Sequence, residues 1–150
     1  MRAVVQRVSS AAVAVDGVEI ARIGRGFLVL LGVEEGDGDG DLDWLCGKIH
    51  RLRVFPDDRG RMSLALGDIG GDALVVSQFT LLASTAHGNR PDFLRAAKPE
   101  EADRLYRAFA DRLSSLLGRP VPTGRFAADM AVSLLNDGPV TIVLDSRRKE

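Results

Sequence analysis

The sequence predicts a single α+β domain over residues 1–150, with two main helices packed on one face of a largely antiparallel or mixed β-sheet. Three observations predict this fold. Most apolar runs have the length and composition of strands, and short turn signals join many of them. Only two stretches have the apolar spacing of a helix. With 45% hydrophobic and 27% charged residues, the 150-residue chain can bury an ample core.

The first half of the chain is predicted to contain three strands and one helix. Residues 2–15 are rich in Val and Ala, and the Asp16-Gly17 turn joins them to a return strand in VEIARIG. The continuous apolar run FLVLLGV, residues 27–33, is typical of a buried central strand. Residues 41–53 then place apolar side chains on one helix face: Leu42, Leu45, Ile49 and Leu52.

The second half is predicted to contain further strands and the longest helix. VFPDDRGRMSLAL, residues 54–66, has the pattern of short strands around a turn, and DALVVSQFTLL, residues 72–82, that of a second buried strand. Pro99 suits the first turn of a helix that Gly118 ends. Residues 129–145 are predicted to form two strands. Asp137-Gly138 between them is a hairpin signal, although the proline that follows has no N–H for the ladder.

Composition excludes several classes of protein. A net charge of −1 excludes a strongly basic nucleic-acid coat protein, although a small local contact with RNA stays open. No apolar run approaches the ~20 residues that cross a bilayer, so we expect no membrane association. Since the single cysteine, Cys46, cannot form an internal disulfide, we expect a cytoplasmic location.

No pattern in the sequence predicts a metal site or a cofactor. The acidic loop that starts at Asp37 lacks the glycine and the glutamate that a calcium loop requires at its sixth and twelfth positions. The only histidines, His50 and His87, have no partners at the spacing of a zinc site or a catalytic triad. We therefore expect neither a metal nor a cofactor.

One polar segment, Ser77-Gln78-Phe79-Thr80, interrupts an apolar run. Buried polar side chains need hydrogen-bond partners. The segment therefore either forms the wet face of an alternating strand or lines a pocket. As a nucleophile, Ser77 or Thr80 would need a nearby base. Residues 75–85 contain no histidine, lysine or carboxylate that could supply one.

Four segments together resemble the bacterial D-aminoacyl-tRNA deacylases. They are VVQRVSSAAVAVDG near the start, SQFTL at 77–81, NRPDF at 89–93 and GRFAADMAVSLLNDGPVT at 124–141. The resemblance covers essentially the whole chain, and SQFT paired with a late NDGPVT is specific. The acidic loop at 36–40 and His87 are local departures from the pattern.

The resemblance implies a homodimer that hydrolyses the ester between a D-amino acid and the 3′-terminal adenosine of tRNA. Glycyl esters on mischarged tRNA would also be accepted, and L-aminoacyl esters would be rejected. The residues that it implies for the catalytic pocket are Ser77, Gln78, Phe79 and Thr80. Those that it implies for substrate binding are Gly138, Pro139, Arg7, Phe126 and Met130.

The resemblance assigns Gly138-Pro139 to a Gly-cisPro motif that enters the pocket of the other subunit, with Arg7 steadying it. Backbone carbonyls of the motif would hold the substrate's ammonium group. An L side chain would then strike the Gly-Pro backbone, whereas a D side chain or a glycine would not. The RNA's own 2′-hydroxyl would assist the chemistry. Two alternatives stay open: an esterase with a Thr80 or Ser77 nucleophile, and a dimeric nucleic-acid-binding module without chemistry.

Overall fold

The computed structural model of the protein describes residues 1–149. Two helices, α1 (Asp39–His50) and α2 (Pro99–Leu117), and a short 3₁₀ helix (Phe79–Leu82) accompany the strands. The strands are β1 (Arg2–Val15), β2 (Val18–Ile23), β3 (Gly26–Gly32), β4 (Phe55–Pro56), β5 (Met62–Leu64), β6 (Asp72–Ser77) and β7 (Ala131–Asp145). Together they form one mixed α+β domain.

The sheet is built around the long first strand. One edge of β1 pairs antiparallel with β7 along most of its length. The other edge pairs antiparallel with β3 over residues 2–8 and with β2 over residues 11–15. β6 adds to the far edge of β3 in parallel, and the sheet curls so that β2 approaches β6. β4 and β5 form a separate hairpin, as the sequence predicts.

The final strand corrects the prediction of two strands at the end of the chain. β7 is one strand of 15 residues that pairs with β1 on both sides of Asp137-Gly138. The pairing passes from Val8–Asn136 to Gln6–Thr141, which leaves residues 137–140 outside the ladder. The segment is therefore a bulge within a strand and not a hairpin turn, because both halves of β7 bond to the same partner.

The buried strand predicted over residues 72–82 is shorter than expected. β6 ends at Ser77, and Phe79–Leu82 form the 3₁₀ helix. The interpretation of this segment as an alternating strand with a wet face is therefore wrong. Pairing with β3 ends at Leu31–Ser77, and β3 itself ends at the next residue, so the chain has no ladder to continue.

Both helices pack on the same face of the sheet, as the sequence predicts. Phe27 of β3, Ala73 of β6, Leu45 of α1 and Phe109 of α2 belong to one buried cluster. Alternate residues of β3 and β6 point to the opposite face. There Leu28, Leu74 and Val76 join a second cluster with side chains of the curled ends of β1 and β2.

The ends of the helices follow from local chemistry. α2 has the predicted bounds, with proline in its first turn and Gly118 in the left-handed conformation at φ 67° just after it. Glycine adopts this conformation at little cost. α1 spans Asp39–His50 instead of residues 41–53. Within residues 1–149, neither helix has the length and apolar character that crossing a membrane requires.

Candidate functional site

The end of β6 places the polar segment beside the end of β3. The N–H of Gln78 donates to the carbonyl oxygen of Leu31 at 2.7 Å, which positions the 3₁₀ helix. Gly32 allows this close approach, since a Cβ atom there would lie 3.0 Å from the carbonyl oxygen of Gln78. The side-chain amide of Gln78 also donates to Oγ1 of Thr80 at 2.5 Å.

The first two N–H groups of the 3₁₀ helix, those of Phe79 and Thr80, have no hydrogen-bond acceptor among residues 1–149. The first N–H groups of a helix always lack an intrahelical acceptor, and the residue before this helix provides no side-chain cap. Both residues are exposed, whereas Ser77 and Gln78 are half-buried. Two adjacent donors of this kind can stabilise a negatively charged oxygen.

A cavity of about 340 Å³ opens beside these donors. Its walls come from Ser77 and Phe79, from the end of β3, from the start of α2 and from Phe126. The Phe79 ring stands edge-on to Phe93, with ring centroids 4.9 Å apart. The lining is mostly apolar, and a cavity of this size and character suits a small organic group.

Tyr106 on α2 lines the same cavity and was not singled out by the sequence. Its hydroxyl lies 3.1 Å from the carbonyl oxygen of Val75 and 3.2 Å from that of Gly124, so it ties α2 to β6 and to the segment before Phe126. Burial raises the pKa of Tyr106, so its hydroxyl stays a donor near neutral pH. The only available signal was a tyrosine on the inner face of a predicted helix.

The bulge of β7 forms a second group of candidate residues. Gly138 and Pro139 are exposed, and the peptide bond between them is cis. Arg7, on β1, is buried and donates from Nε to the carbonyl oxygen of Asp137 at 2.9 Å and from Nη1 to that of Val54 at 2.5 Å. A Cβ atom at Gly138, where φ is 132°, would lie 2.8 Å from Nη2 of Arg7.

Asn136 closes the bulge from within β7. Its Oδ1 accepts from the N–H of Val140 at 3.1 Å, and its Nδ2 donates to Oγ1 of Thr141 at 3.0 Å. The amide thus spans the residues that leave the ladder. The predicted site did not include Asn136, although it begins the NDGPVT segment on which the resemblance rests.

The structure places most of the predicted site residues at either the cavity or the bulge, and Met130 at neither. Ser77, Phe79 and Phe126 share the cavity wall. Met130 is not among the lining residues, and it packs instead against the second core cluster. Gly138 and Pro139 are likewise absent from the lining of the cavity. Arg7 lies with the bulge and not with the cavity.

Among residues 1–149, no histidine, lysine, cysteine or carboxylate lines the cavity. His87 is exposed in the loop after the 3₁₀ helix, and the backbone of Asp92 pairs with that of Ser84. Cys46 is buried, and burial raises the pKa of its thiol to about 12. That part of the chain also contains no cluster of His, Cys, Asp and Glu able to hold a metal ion.

Comparison with known proteins identifies the family. The model of the D-Tyr-tRNA(Tyr) deacylase family matches residues 4–145. The chain belongs to this family. An Opitutus terrae protein named D-aminoacyl-tRNA deacylase is 58% identical over 150 residues, which are 100% of both chains. A Dechloromonas aromatica protein of the same name is 55% identical, again over 100% of both chains.

Solved structures of other proteins share the fold. The structure titled c-Myc DNA Unwinding Element Binding Protein superposes with a TM-score of 0.91 at 42% identity, over 97% of this chain and 98% of that one. A structure titled as a probable eukaryotic D-amino acid tRNA deacylase has a TM-score of 0.81 at 17% identity, over 95% and 97% of the chains. At that identity, the second likeness concerns the fold alone.

Proposed function

We propose that the protein hydrolyses the ester bond of D-aminoacyl-tRNA and releases the free D-amino acid and tRNA. Membership of the deacylase family along residues 4–145 supports this activity. The observation that carries the proposal is the pair of N–H groups, of Phe79 and Thr80, that have no acceptor within residues 1–149 and lie beside a cavity whose described wall contains no base. Such a site can position an ester and stabilise its oxyanion, yet its described residues include none that activates a nucleophile.

The reaction needs little from protein side chains. Water attacks the ester carbonyl carbon, and the carbonyl oxygen becomes an oxyanion that accepts hydrogen bonds from the N–H groups of Phe79 and Thr80. The oxyanion then reforms the C=O bond, the bond to the 3′-oxygen of the terminal adenosine breaks, and that oxygen takes the proton that the attacking water gives up. In this proposal the neighbouring 2′-hydroxyl of the RNA assists the step, and the cavity holds the adenosine and the ester in position.

The proposal includes a homodimer in which each bulge enters the partner's cavity. Gly138 and Pro139 are exposed, while the side chains of Arg7 and Asn136 form hydrogen bonds to the backbone on either side of them. A buried arginine that donates to backbone carbonyls gives the bulge a defined shape, which a segment that distinguishes D- from L-aminoacyl esters requires. An ammonium group bound by the bulge would direct an L side chain into its backbone, and D-aminoacyl and glycyl esters would pass.

Two other functions compete with this proposal. A protein nucleophile at Ser77 or Thr80 would need a base, and among residues 1–149 the cavity wall offers none. A nucleic-acid-binding module without chemistry would usually present a strongly basic surface, whereas the net charge is −1. The binding module does not account for the two open N–H groups beside the cavity, whereas a protein nucleophile would use them but lacks its base in the described wall.

A comparison of substrates and variants tests the chemistry. We expect Ser77→Ala and Thr80→Ala to keep substantial single-turnover activity on D-tyrosyl-tRNA. A 3′-linked substrate whose terminal adenosine has hydrogen in place of the 2′-hydroxyl should bind normally and react slowly. L-tyrosyl-tRNA should resist hydrolysis. A protein nucleophile would be favoured if the wild type hydrolysed the 2′-deoxy substrate at full rate and Thr80→Ala did not hydrolyse the normal substrate. Equal rates of the wild type on D- and L-tyrosyl esters would refute the selectivity.

A further inference from the structure

A second groove, of about 390 Å³, lies outside the candidate site. It is bounded by the start of β1, by the end of β7 and by Trp44 of α1. Its lining residues are Arg2, Trp44, Val143, Leu144, Asp145 and Arg148. None of them lines the cavity beside Phe79.

The groove carries an excess of positive charge. Arg2 and Asp145 neutralise each other through a two-point contact, at 3.0 Å from Nε and 2.9 Å from Nη2 to the same carboxylate oxygen. Arg148, Lys48 and Lys149 form no ion pair within residues 1–149. Among the lining residues, Arg148 therefore leaves one positive charge that no ion pair within residues 1–149 offsets.

Lys48 and Lys149 approach the only tryptophan in the chain, Trp44, which lines the groove. Nζ of Lys48 lies 5.6 Å from the centroid of the Trp44 ring, and Nζ of Lys149 lies 5.4 Å from it. The neighbouring acid on α1, Asp43, pairs with Arg112 at 3.0 Å and does not neutralise them. Aromatic rings flanked by lysine and arginine are typical of surfaces that bind nucleic acids, because they combine phosphate attraction with a face for stacking.

The groove is connected to the candidate site through Arg2. Nη1 of Arg2 donates to the carbonyl oxygen of Leu81 at 2.7 Å, within the 3₁₀ helix that begins at Phe79. Phe79 and Leu81 are two residues apart, roughly 4 Å along a 3₁₀ helix with a rise of about 2 Å per residue. An RNA whose 3′ end occupies the cavity would thus pass close to the groove as it leaves the site.

We propose that this groove binds the phosphate backbone of the tRNA acceptor stem, with Lys48, Arg148 and Lys149 facing the phosphates and Trp44 lying against the RNA. The inference rests on the proposed function, because it supplies the contact that holds the rest of the tRNA while the 3′ end reacts. It also accounts for how a protein without a basic surface overall would bind a polyanion: the positive charge is local.

The test compares long and short substrates. The triple variant Lys48→Ala/Arg148→Ala/Lys149→Ala should raise KM for intact D-aminoacyl-tRNA at least about fivefold, with kcat unchanged, because it removes contacts to phosphates. Each phosphate contact also adds about one unit to the salt dependence of binding. The slope of log KM against log salt should fall by about 2 to 3. A 3′-D-aminoacylated adenosine, which has no phosphate for the groove to bind, should show an unchanged KM. The matched control Arg22→Ala/Arg59→Ala/Arg61→Ala removes the same charge from β2 and the β4–β5 turn.

The single tryptophan supplies a readout that does not depend on activity. Uncharged tRNA should change the fluorescence of Trp44 in the wild type, and the triple variant should need several-fold more tRNA for the same change. Equal titrations and equal KM values in the triple variant and the control would overturn the proposal. A triple variant whose sedimentation mass differs from that of the wild type would also overturn it, by assigning the groove to a contact between subunits. If the wild type hydrolysed neither substrate, the proposed function would fail while the fluorescence titration still tested the groove.

Discussion

The N–H groups of Phe79 and Thr80 lie beside the cavity, and the only residue with an ionisable side chain in its described wall is Tyr106. Chemistry that depends on backbone donors tolerates changes of side chain, provided that the backbone keeps its course. Such chemistry needs no side-chain base near Ser77 or Thr80, and residues 75–85 contain none. At the scale of single residues, the decisive substitutions are those that remove an N–H.

Phe79→Pro and Phe79→Ala separate the backbone donor from the ring. Both variants remove the phenyl group, but only proline removes the N–H, and proline suits the first residue of a helix. We expect single-turnover hydrolysis of D-aminoacyl-tRNA to be about 10²–10³-fold slower in Phe79→Pro than in Phe79→Ala. Matching urea unfolding curves would show that both variants fold. Equal rates would contradict the oxyanion role of this N–H.

At the scale of elements, the site lies where three segments meet and not within any one of them. β6 ends in the 3₁₀ helix, the start of α2 forms one wall, and the segment that carries Phe126 forms another. Tyr106 joins these parts because its hydroxyl lies within hydrogen-bond distance of carbonyl oxygens of both β6 and Gly124. A backbone hydrogen bond also joins two of these segments, because the N–H of Gly124 donates to the carbonyl oxygen of Val75 at 3.0 Å.

Tyr106→Phe tests this connection. Removing the hydroxyl leaves a buried carbonyl oxygen with fewer partners, so we expect the free energy of unfolding to fall by about 1–2 kcal/mol. Ser115→Ala is the matched control on α2, because its exposed hydroxyl bonds only to Asp111 of the same helix. It should change stability by less than about 0.5 kcal/mol. Urea unfolding measures both variants, and an equal loss in the two would show that the tyrosine hydroxyl does not join the elements.

At the scale of the whole molecule, the proposed dimer joins two groups of residues that one protomer keeps apart. The cavity of one chain and the Gly138 bulge of another would form each site, so a two-fold dimer would contain two shared sites. Apolar side chains exposed on β7 next to the bulge include Leu134, at 38% exposure, and Leu135, at 62%. An apolar patch of this kind on an edge strand favours contact with a second copy.

Mixing two inactive variants tests whether sites are shared. Phe79→Pro damages the cavity, and Gly138→Val damages the bulge, because a Cβ atom there would lie 2.8 Å from Arg7 and φ is 132°. After co-refolding, half of the dimers are mixed, and each mixed dimer has one site without a defect. We expect about a quarter of the wild-type activity to return. No recovery, despite mixed dimers detected by mass spectrometry, would place both groups in the same protomer's site.

The two ends of the chain also meet, which gives the fold an acid-sensitive point. The buried Met1 ammonium group pairs with Asp37 at 2.6 Å and donates to Oγ of Ser146 at 2.7 Å. Burial alone would raise the pKa of nearby Asp145, but hydrogen bonds from the Arg147 N–H and from Arg2 lower it below its ordinary value. A carboxyl group with a lowered pKa in the folded state stabilises the fold above its unfolded pKa and loses that contribution as pH falls through the folded value.

We therefore expect the urea concentration at which half of the wild type is unfolded to decrease as the pH falls below about 4, the ordinary pKa of an aspartate. Asp145→Asn cannot make the charged contact at any pH, so it should be less stable near neutrality and vary less between pH 3 and 5, as about one titrating group is removed. Urea unfolding across this range measures the effect. Parallel curves for the two proteins would show that Asp145 does not contribute to the acid response.

The sequence by itself determined the features that depend on neighbouring residues. The bounds of α2 follow from its apolar period, from Pro99 and from Gly118, and the turn at Asp16-Gly17 follows from residues that favour positive φ, observed at 51° and 76°. The family was also readable from the resemblance that SQFTL and NDGPVT carry, and the family model matches residues 4–145.

Only the tertiary structure decided the features that depend on partners distant in the chain. Asp137-Gly138 has the local signal of a hairpin, yet β1 pairs with both halves of β7 across a separation of about 130 residues and makes one strand of them. β6 ends at Ser77 because β3 ends beside it, and Tyr106 reaches the cavity because α2 packs there. Strand pairing and burial are set by the surface that each segment meets, so a local pattern is overridden when a distant partner satisfies more hydrogen bonds.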